Sequence, residues 1–240
     1  MSHKNLHRQT EALELYSLCL CVDEGMFDDY HSWIQLQTTA GGLPANIIGY
    51  LAMLLVKFLV VRGDLRNPDT VLPSVPVGKY LEPETIPERT TRPQMHKWPV
   101  PQRQVDCIPS PDQFVLVENQ VAAFIAKKGQ DGTVIRKGKA FDSLNAFFLD
   151  KVELFHIHPF DKSFHCMLHP SDAKLLIAKG WAEWFGLAGK VGQPSGTVLV
   201  YAVREKEEVG VVEKVWEAAL MHAEETQSLN VHDQGPAGRI

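Results

Sequence analysis

The sequence predicts an α+β fold: an antiparallel sheet carrying a histidine-bearing hairpin, helices packed on one face, and an apolar helix towards the N-terminus. Three observations predict it. Val152 to His158 and Ser163 to His169 each alternate apolar and polar residues, with turn residues Pro159 to Lys162 between them. From Lys206 to Glu225, Val212, Val215, Trp216, Ala219, Leu220 and Ala223 recur at helical spacing, while Glu213, Lys214, Glu217 and Glu224 take the wet side. Ile47 to Val61 is apolar apart from Gly49, Tyr50 and Lys57.

Taken in order, Thr10 can cap a first helix carrying Leu13, Tyr16 and Leu20. A second helix is expected from Met26 to about Gln37, ended by the breaker Gly41-Gly42-Leu43-Pro44. The apolar run that follows is shorter than the roughly 20 residues needed to span a bilayer. It reads as a buried helix or a peripheral membrane contact through residues 47–61. Ten prolines lie between Pro68 and Pro111. Proline at that density forbids a long helix or a central strand, so residues 62–111 read as an extended segment wrapped over the domain. Its Tyr80, Trp98 and Val100 would pack against the domain. Phe114 to Lys127 reads as a strand, because Phe114-Val115-Leu116-Val117 is rich in β-formers. Asp131-Gly132 is a turn, and Phe141 to Leu149 a short helix or strand. After the hairpin, Ser171 caps a helix ended by Gly180, and Thr197 to Val203 forms a strand. The chain divides into an N-terminal helical region (1–40), the α+β domain (41–226) and a flexible tail (227–240).

Composition narrows the function. The 240 residues are 45% hydrophobic and 22% charged, with a formal net charge of -5. An acidic chain without a lysine or arginine run is a poor nucleic-acid binder. Cys19, Cys21, Cys107 and Cys166 have neither zinc-knuckle nor redox C-x-x-C spacing. Met1 to Glu14 lacks the apolar stretch of a secretory signal. A cytoplasmic protein with reduced thiols, able to associate with a membrane through residues 47–61, is expected.

The chemistry gathers at the hairpin. Side chains on a strand alternate faces, so His156 and His158 share one. With a four-residue turn, His158 lies opposite Ser163, and His156 opposite His165. His169 falls on the same face, farther from the turn. Three imidazoles together suit transition-metal ligation or acid–base chemistry near neutral pH. Phe155, Ile157, Phe164 and Cys166 fall on the opposite, core face.

Four passages resemble one family. Gly41 to Tyr50 (GGLPANIIGY), Thr91-Arg92-Pro93 with Pro101-Gln102-Arg103-Gln104, the hairpin His156-x-His158-Pro159-x-Asp161-x-Ser163-x-His165, and Gly180-Trp181 with Leu187-Ala188-Gly189 are similar to motifs of the fungal luciferases and their non-luminous relatives. The resemblance runs from about Tyr30 to Ala223. It implies a place in fungal secondary metabolism and an oxygen-dependent oxidation of a small enolic or phenolic molecule such as a 2-pyrone. Molecular oxygen would be the co-substrate, and no nicotinamide or flavin is required. His156, His158 and His165 would supply base and anion-stabilising donors, oriented by Ser163 and Asp161. Trp181, Trp184, Phe185 and His169 would contact the substrate. Where the family pattern has Arg and His, this chain has Trp184 and Phe185, which implies an apolar or stacking wall and a non-luminous relative. The luminous members' N-terminal membrane anchor has no counterpart in Met1 to Cys21. Two other readings stay open: a metal-dependent hydrolase with a divalent ion on His156, His158 and His165, and a non-catalytic small-molecule binding protein.

Overall fold

The computed structural model describes residues 24–40, 42–140 and 144–233. The expected helix near Thr10 to Leu20 lies outside them. Among the described residues, helices α1 (Glu24–Ala40), α2 (Ile47–Val56) and α3 (Pro111–Gln130) precede strands β1 (Ile135–Ala140), β2 (Leu144–Leu149), β3 (Val152–Ile157) and β4 (Phe164–Met167). Helix α4 (Pro170–Ala178), strands β5 (Ala182–Trp184) and β6 (Thr197–Val200), and helix α5 (Val209–Asp233) follow. The strands form one antiparallel sheet in the order β1-β2-β3-β4-β6-β5. The fold is α+β, as the sequence predicts.

One face of the sheet carries the main core. Phe155, Phe164, Cys166, Val198 and Val200 meet Trp216 and Val212 of α5 and Phe124 of α3. The Phe155 and Trp216 rings stack with centroids 5.1 Å apart. Helix α5 continues to Asp233, past the expected end near Glu225.

Residues 114–127 correct the expectation of a strand: they lie inside α3. Ser110 and Gln113 form a capping box and Pro111 sits in the first turn, where its missing N–H costs nothing. Val117, Val121 and Phe124, spaced four and three apart, face the core. This 3.6-residue period overrides the β-propensity of Phe114 to Val117. Strand β1 has no counterpart in the expectations. Its Arg136, Lys137, Gly138 and Lys139 are poor strand formers, held by pairing with β2. The cap of α4 is His169 rather than Ser171: the His169 Nδ1 accepts the Ser171 backbone N–H at 3.2 Å. Gly180 ends this helix at φ +82°, and a Cβ there would lie 2.1 Å from the Arg89 carbonyl oxygen, so glycine is required.

The proline-rich segment packs across the domain. Trp98 is buried beside Trp33, Leu36, Tyr50 and Met53, joining the segment to α1 and α2. The Trp33 indole N–H donates to the Val100 carbonyl at 2.9 Å. Further along, the fully buried Asp172 carboxylate accepts backbone N–H groups from Lys79 at 2.7 Å, Tyr80 at 3.0 Å and Leu81 at 2.9 Å. Pro93 and residues 101–104 are buried as well.

Helix α2 is only half buried. Tyr50 and Met53 point inwards, but Ile48 is 72%, Leu55 67% and nearby Phe58 79% exposed. Among the described residues no helix is long and apolar enough to cross a membrane.

Asp172→Ala should lower stability by about 3 kcal/mol, since it leaves three backbone donors without their charged acceptor. Urea unfolding measures this, and limited proteolysis should show new cleavage around residues 79–81. An unchanged urea midpoint contradicts this account of how the segment is held.

Candidate active site

The hairpin register places the histidines together. His156 pairs directly with His165, and the His158 N–H donates to the Ser163 carbonyl at 2.9 Å. The turn closes as the Lys162 N–H donates back to the His158 carbonyl at 3.0 Å, with Lys162 at φ +56°. The three rings form a nearly equilateral cluster, with centroids 5.3 Å (His156–His158), 5.0 Å (His156–His165) and 4.9 Å (His158–His165) apart. All three are buried, His158 completely.

Asp161 organises the cluster from the turn. Its carboxylate accepts the Ser163 hydroxyl at 2.8 Å, the Ser163 N–H at 3.2 Å and the Gln104 N–H at 2.7 Å. A carboxylate has no proton to give, so the Ser163 hydroxyl hydrogen points to Asp161. The Ser163 oxygen can then only accept from His158 Nδ1, 2.8 Å away. His158 therefore carries its proton on Nδ1 and a lone pair on Nε2. On His156 the Nδ1 is hydrogen-bonded to the Glu153 carboxylate, leaving Nε2 with the lone pair. His158 Nε2 and His165 Nδ1 are buried and make no hydrogen bond to any of the described residues.

Sequence reasoning missed two members of this site. Strict alternation puts Glu153 on the core face. Instead, Phe147 pairs with Phe155 while Phe148 pairs with Glu153, so Leu154 is an extra, bulged residue. Leu154 joins the core and Glu153 turns to His156's side. No local sequence signal marks that bulge. Arg103 is the second. It is buried in the wrapping segment, donates to the Gln102 carbonyl at 2.8 Å and lines the same cavity as His156 and His165. A charged residue flanked by two glutamines in a segment expected to pack was the available signal.

That cavity holds about 220 Å³. His156, His165 and Arg103 are its polar floor, and Val56, Pro99, Met167, Phe185 and Leu187 are among its apolar walls. Phe185 packs edge-on to His165 at 4.4 Å between ring centroids, where a substrate wall was expected. Trp184 and Trp181 do not line the cavity. Trp184 pairs with Val198 on the core face and its indole donates to the Asn67 carbonyl at 3.1 Å. Trp181 lies in the same core and donates to the Pro87 carbonyl at 2.7 Å. His169 caps α4 and contacts His222 at 5.6 Å and Tyr80 at 6.2 Å between ring centroids, away from the cluster. His222 is half-buried in that contact.

A comparison with protein-family models matches residues 151–219 to the family described as "Luciferase domain". This span includes the whole hairpin. Residues 151–219 are similar to a luciferase domain. Similar curated proteins are luciferases from Armillaria ostoyae, 38% identical over 73 residues, and Neonothopanus nambi, 34% identical over 93 residues. These alignments cover 29% and 38% of this chain, and only 27% and 32% of the relatives' own length. No solved structure shows a significant match. The luciferase-like segment supplies the three histidines, Ser163, Asp161 and Phe185, whereas Arg103 and the strap over the cavity lie before it.

Burial is the first cause holding His158 and His165 well below the usual imidazole pKa. For His158, Arg103 and then His156 add repulsion; for His165, His158, His156 and Arg103 do. The sign for stability follows. Below about pH 6.5 the unfolded chain protonates these imidazoles and the folded protein does not, so unfolding takes up protons. Their contribution is complete above about pH 6.5 and is lost as the pH falls towards the lower folded values. In the presence of chelator, the urea midpoint should drop between pH 7 and pH 5.5, and His165→Gln should flatten that drop. An equal slope in both proteins contradicts the assignment.

Proposed function

We propose that the protein is a luciferase-like oxidoreductase that uses molecular oxygen to oxidise a small planar enolic or phenolic molecule, such as a hydroxylated 2-pyrone, without a nicotinamide or flavin. The observation that carries this reading is the cluster of three buried imidazoles, two of which line a small apolar cavity. An enol or phenol O–H loses its proton to an imidazole lone pair, and the buried Arg103 guanidinium steadies the resulting anion. The electron-rich carbon of the enolate then gives up electrons to oxygen, forming a C–O bond and reducing oxygen to the peroxide level. Ser163 and Asp161 hold the His158 tautomer. Phe185 offers an aromatic wall, which favours a flat substrate. The family match and the fungal luciferases support the reaction class, and the cavity volume supports the size of the substrate.

The test is oxygen uptake by the purified protein with a panel of 2-pyrones, enols and phenols. Substrate-dependent uptake is expected, and His156→Gln and His165→Gln should each lower kcat about a hundredfold while remaining folded. Their effects should be non-additive, since both serve one reaction centre. If these variants differ from wild type only in melting temperature, the histidines are structural and the reading fails.

We also propose that the outer face of α2 rests on an anionic lipid surface. Ile48, Leu51, Leu55 and Phe58 are exposed, Lys57 and Arg62 are exposed beside them, and residues 46–62 contain no acidic side chain. Val56 of the same helix lines the cavity, so an apolar substrate could pass from lipid to site. Cosedimentation should show binding to phosphatidylserine-containing vesicles, weakened by salt and lost in Leu51→Asp/Leu55→Asp. Equal sedimentation of the variant and wild type contradicts this contact.

A further inference from the structure

We infer that His156, His158 and His165 bind one divalent transition-metal ion, with an open coordination position facing the apolar cavity. This deepens the proposed reaction and changes its base: a bound ion would take up the imidazole lone pairs and acidify the substrate's coordinated oxygen, with the Glu153 carboxylate at the cavity wall accepting the proton, and only that role depends on the oxidase reading. Binding itself follows from the arrangement of the cluster.

The donor atoms of the three imidazoles all lie within 4.8 Å of one another. Metal–nitrogen bonds of roughly 2.0–2.1 Å in a tetrahedral site bring ligand nitrogens to about 3.4 Å, a distance that modest ring rotations supply. The rings are inclined to one another by 57–75°, so they converge on a point rather than stacking. The outer contacts are those of metal-binding histidines, whose second nitrogen gives its proton to a neighbouring acceptor. Glu153 takes this place on His156, and Ser163 backed by Asp161 takes it on His158. Each contact leaves Nε2 as the free donor.

Two of the three ligand atoms, His158 Nε2 and His165 Nδ1, are buried without a hydrogen-bond partner among the described residues. Buried polar atoms left in that state cost about 1–3 kcal/mol each. Lone pairs gathered in one place cannot satisfy one another, because each is an acceptor. A cation satisfies all of them at once.

The charges nearby are compatible. Glu153 and Asp161 stand behind the imidazoles and would offset a dication, while Arg103 is the opposing charge among the described residues lining this cavity. Three imidazoles favour zinc, iron(II), cobalt(II) or copper over calcium and magnesium, which prefer oxygen donors. Cys166 adds no thiolate, since it faces the core. The cavity touches His156 and His165 from the front, so the remaining coordination position opens where the substrate would sit. Three protein ligands with one open position is the arrangement of a catalytic rather than a structural metal site.

The experiment uses the full chain, stripped with chelator and then titrated with cobalt(II) and zinc(II). One equivalent should bind, followed by calorimetry and by the visible absorption of cobalt in a low-coordinate nitrogen site. His158→Gln and His165→Gln, confirmed folded by circular dichroism, should weaken binding at least a hundredfold. Ser163→Ala, which keeps all three ligands, should weaken it roughly tenfold to a hundredfold. His169→Gln, away from the cluster, should bind as wild type does. Absence of binding by the folded wild-type chain overturns the inference, as does binding that the His158 and His165 variants leave unchanged. Tight binding with no oxygen uptake on any of the pyrones, enols or phenols preserves the metal site and defeats the oxidase reading. Oxygen uptake that continues at full rate in the stripped protein preserves that reading and defeats the metal's role in it.

Discussion

The site depends on one carboxylate. Asp161 is fully buried, and burial raises its pKa while Arg103 and its hydrogen-bond donors hold it down. It sits in the hairpin turn, yet one of its three donors is the Gln104 backbone N–H from the wrapping segment. The same carboxylate group thus closes the turn, fixes the Ser163 hydroxyl and, through it, the His158 tautomer, and clamps the strap over the cavity. Charge-assisted bonds of this kind are stronger than neutral ones, and a buried carboxylate that loses a donor has no water to replace it. This is why the proline-rich segment can be ordered without regular secondary structure. Gln102 extends the clamp: its amide donates to Glu183 at 2.6 Å and accepts the Gly186 N–H at 3.3 Å.

The sheet separates two environments at the thickness of one backbone. On one side, aromatic rings from β3 and β4 stack against Trp216. On the other, imidazoles from the same strands face a cavity. Strand alternation alone would divide the residues this way, but it would also leave His156 without an acceptor. The bulge at Leu154 resolves that by adding one residue to the strand, so Leu154 goes to the core and Glu153 to the imidazole. The same alternation separates Trp184 from Phe185. Adjacent in sequence, one becomes core and the other reaches His165.

What could be read from the sequence was what depends on near neighbours. The hairpin register needed only strand period and turn length, and both are local. Helix α5 showed its period from Val212 to Ala223, about three turns. Helix α3 was misread because four β-prone residues were weighed above a cap and a proline at its start. Strand β1 was missed because its residues pair rather than pack, and pairing leaves no periodic mark in Ile135-Arg136-Lys137-Gly138. Of the site, the three histidines, Ser163, Asp161 and Phe185 were legible. Glu153 was not, since a bulge is settled by the partner strand. Nor was Arg103, because its place comes from contacts made by a segment with no period at all.

The cavity needs the strap as much as the hairpin. Three neutral imidazoles in water would hydrogen-bond to solvent and titrate near pH 6.5 like any others. Covered by residues 99–103 and the end of α2, they are buried, and burial is what leaves their lone pairs to a substrate proton or a cation. The cover also brings in Arg103, whose buried guanidinium is itself pulled down to about 10 by desolvation, with Asp161 opposing. A cation beside neutral imidazoles disfavours their protonation and favours an anion in the cavity. The luciferase-like segment alone provides the imidazoles, but it provides neither this charge nor the cover. The chemistry of the hairpin therefore rests on residues that precede it by some fifty positions and that reach it through the Gln104–Asp161 bond.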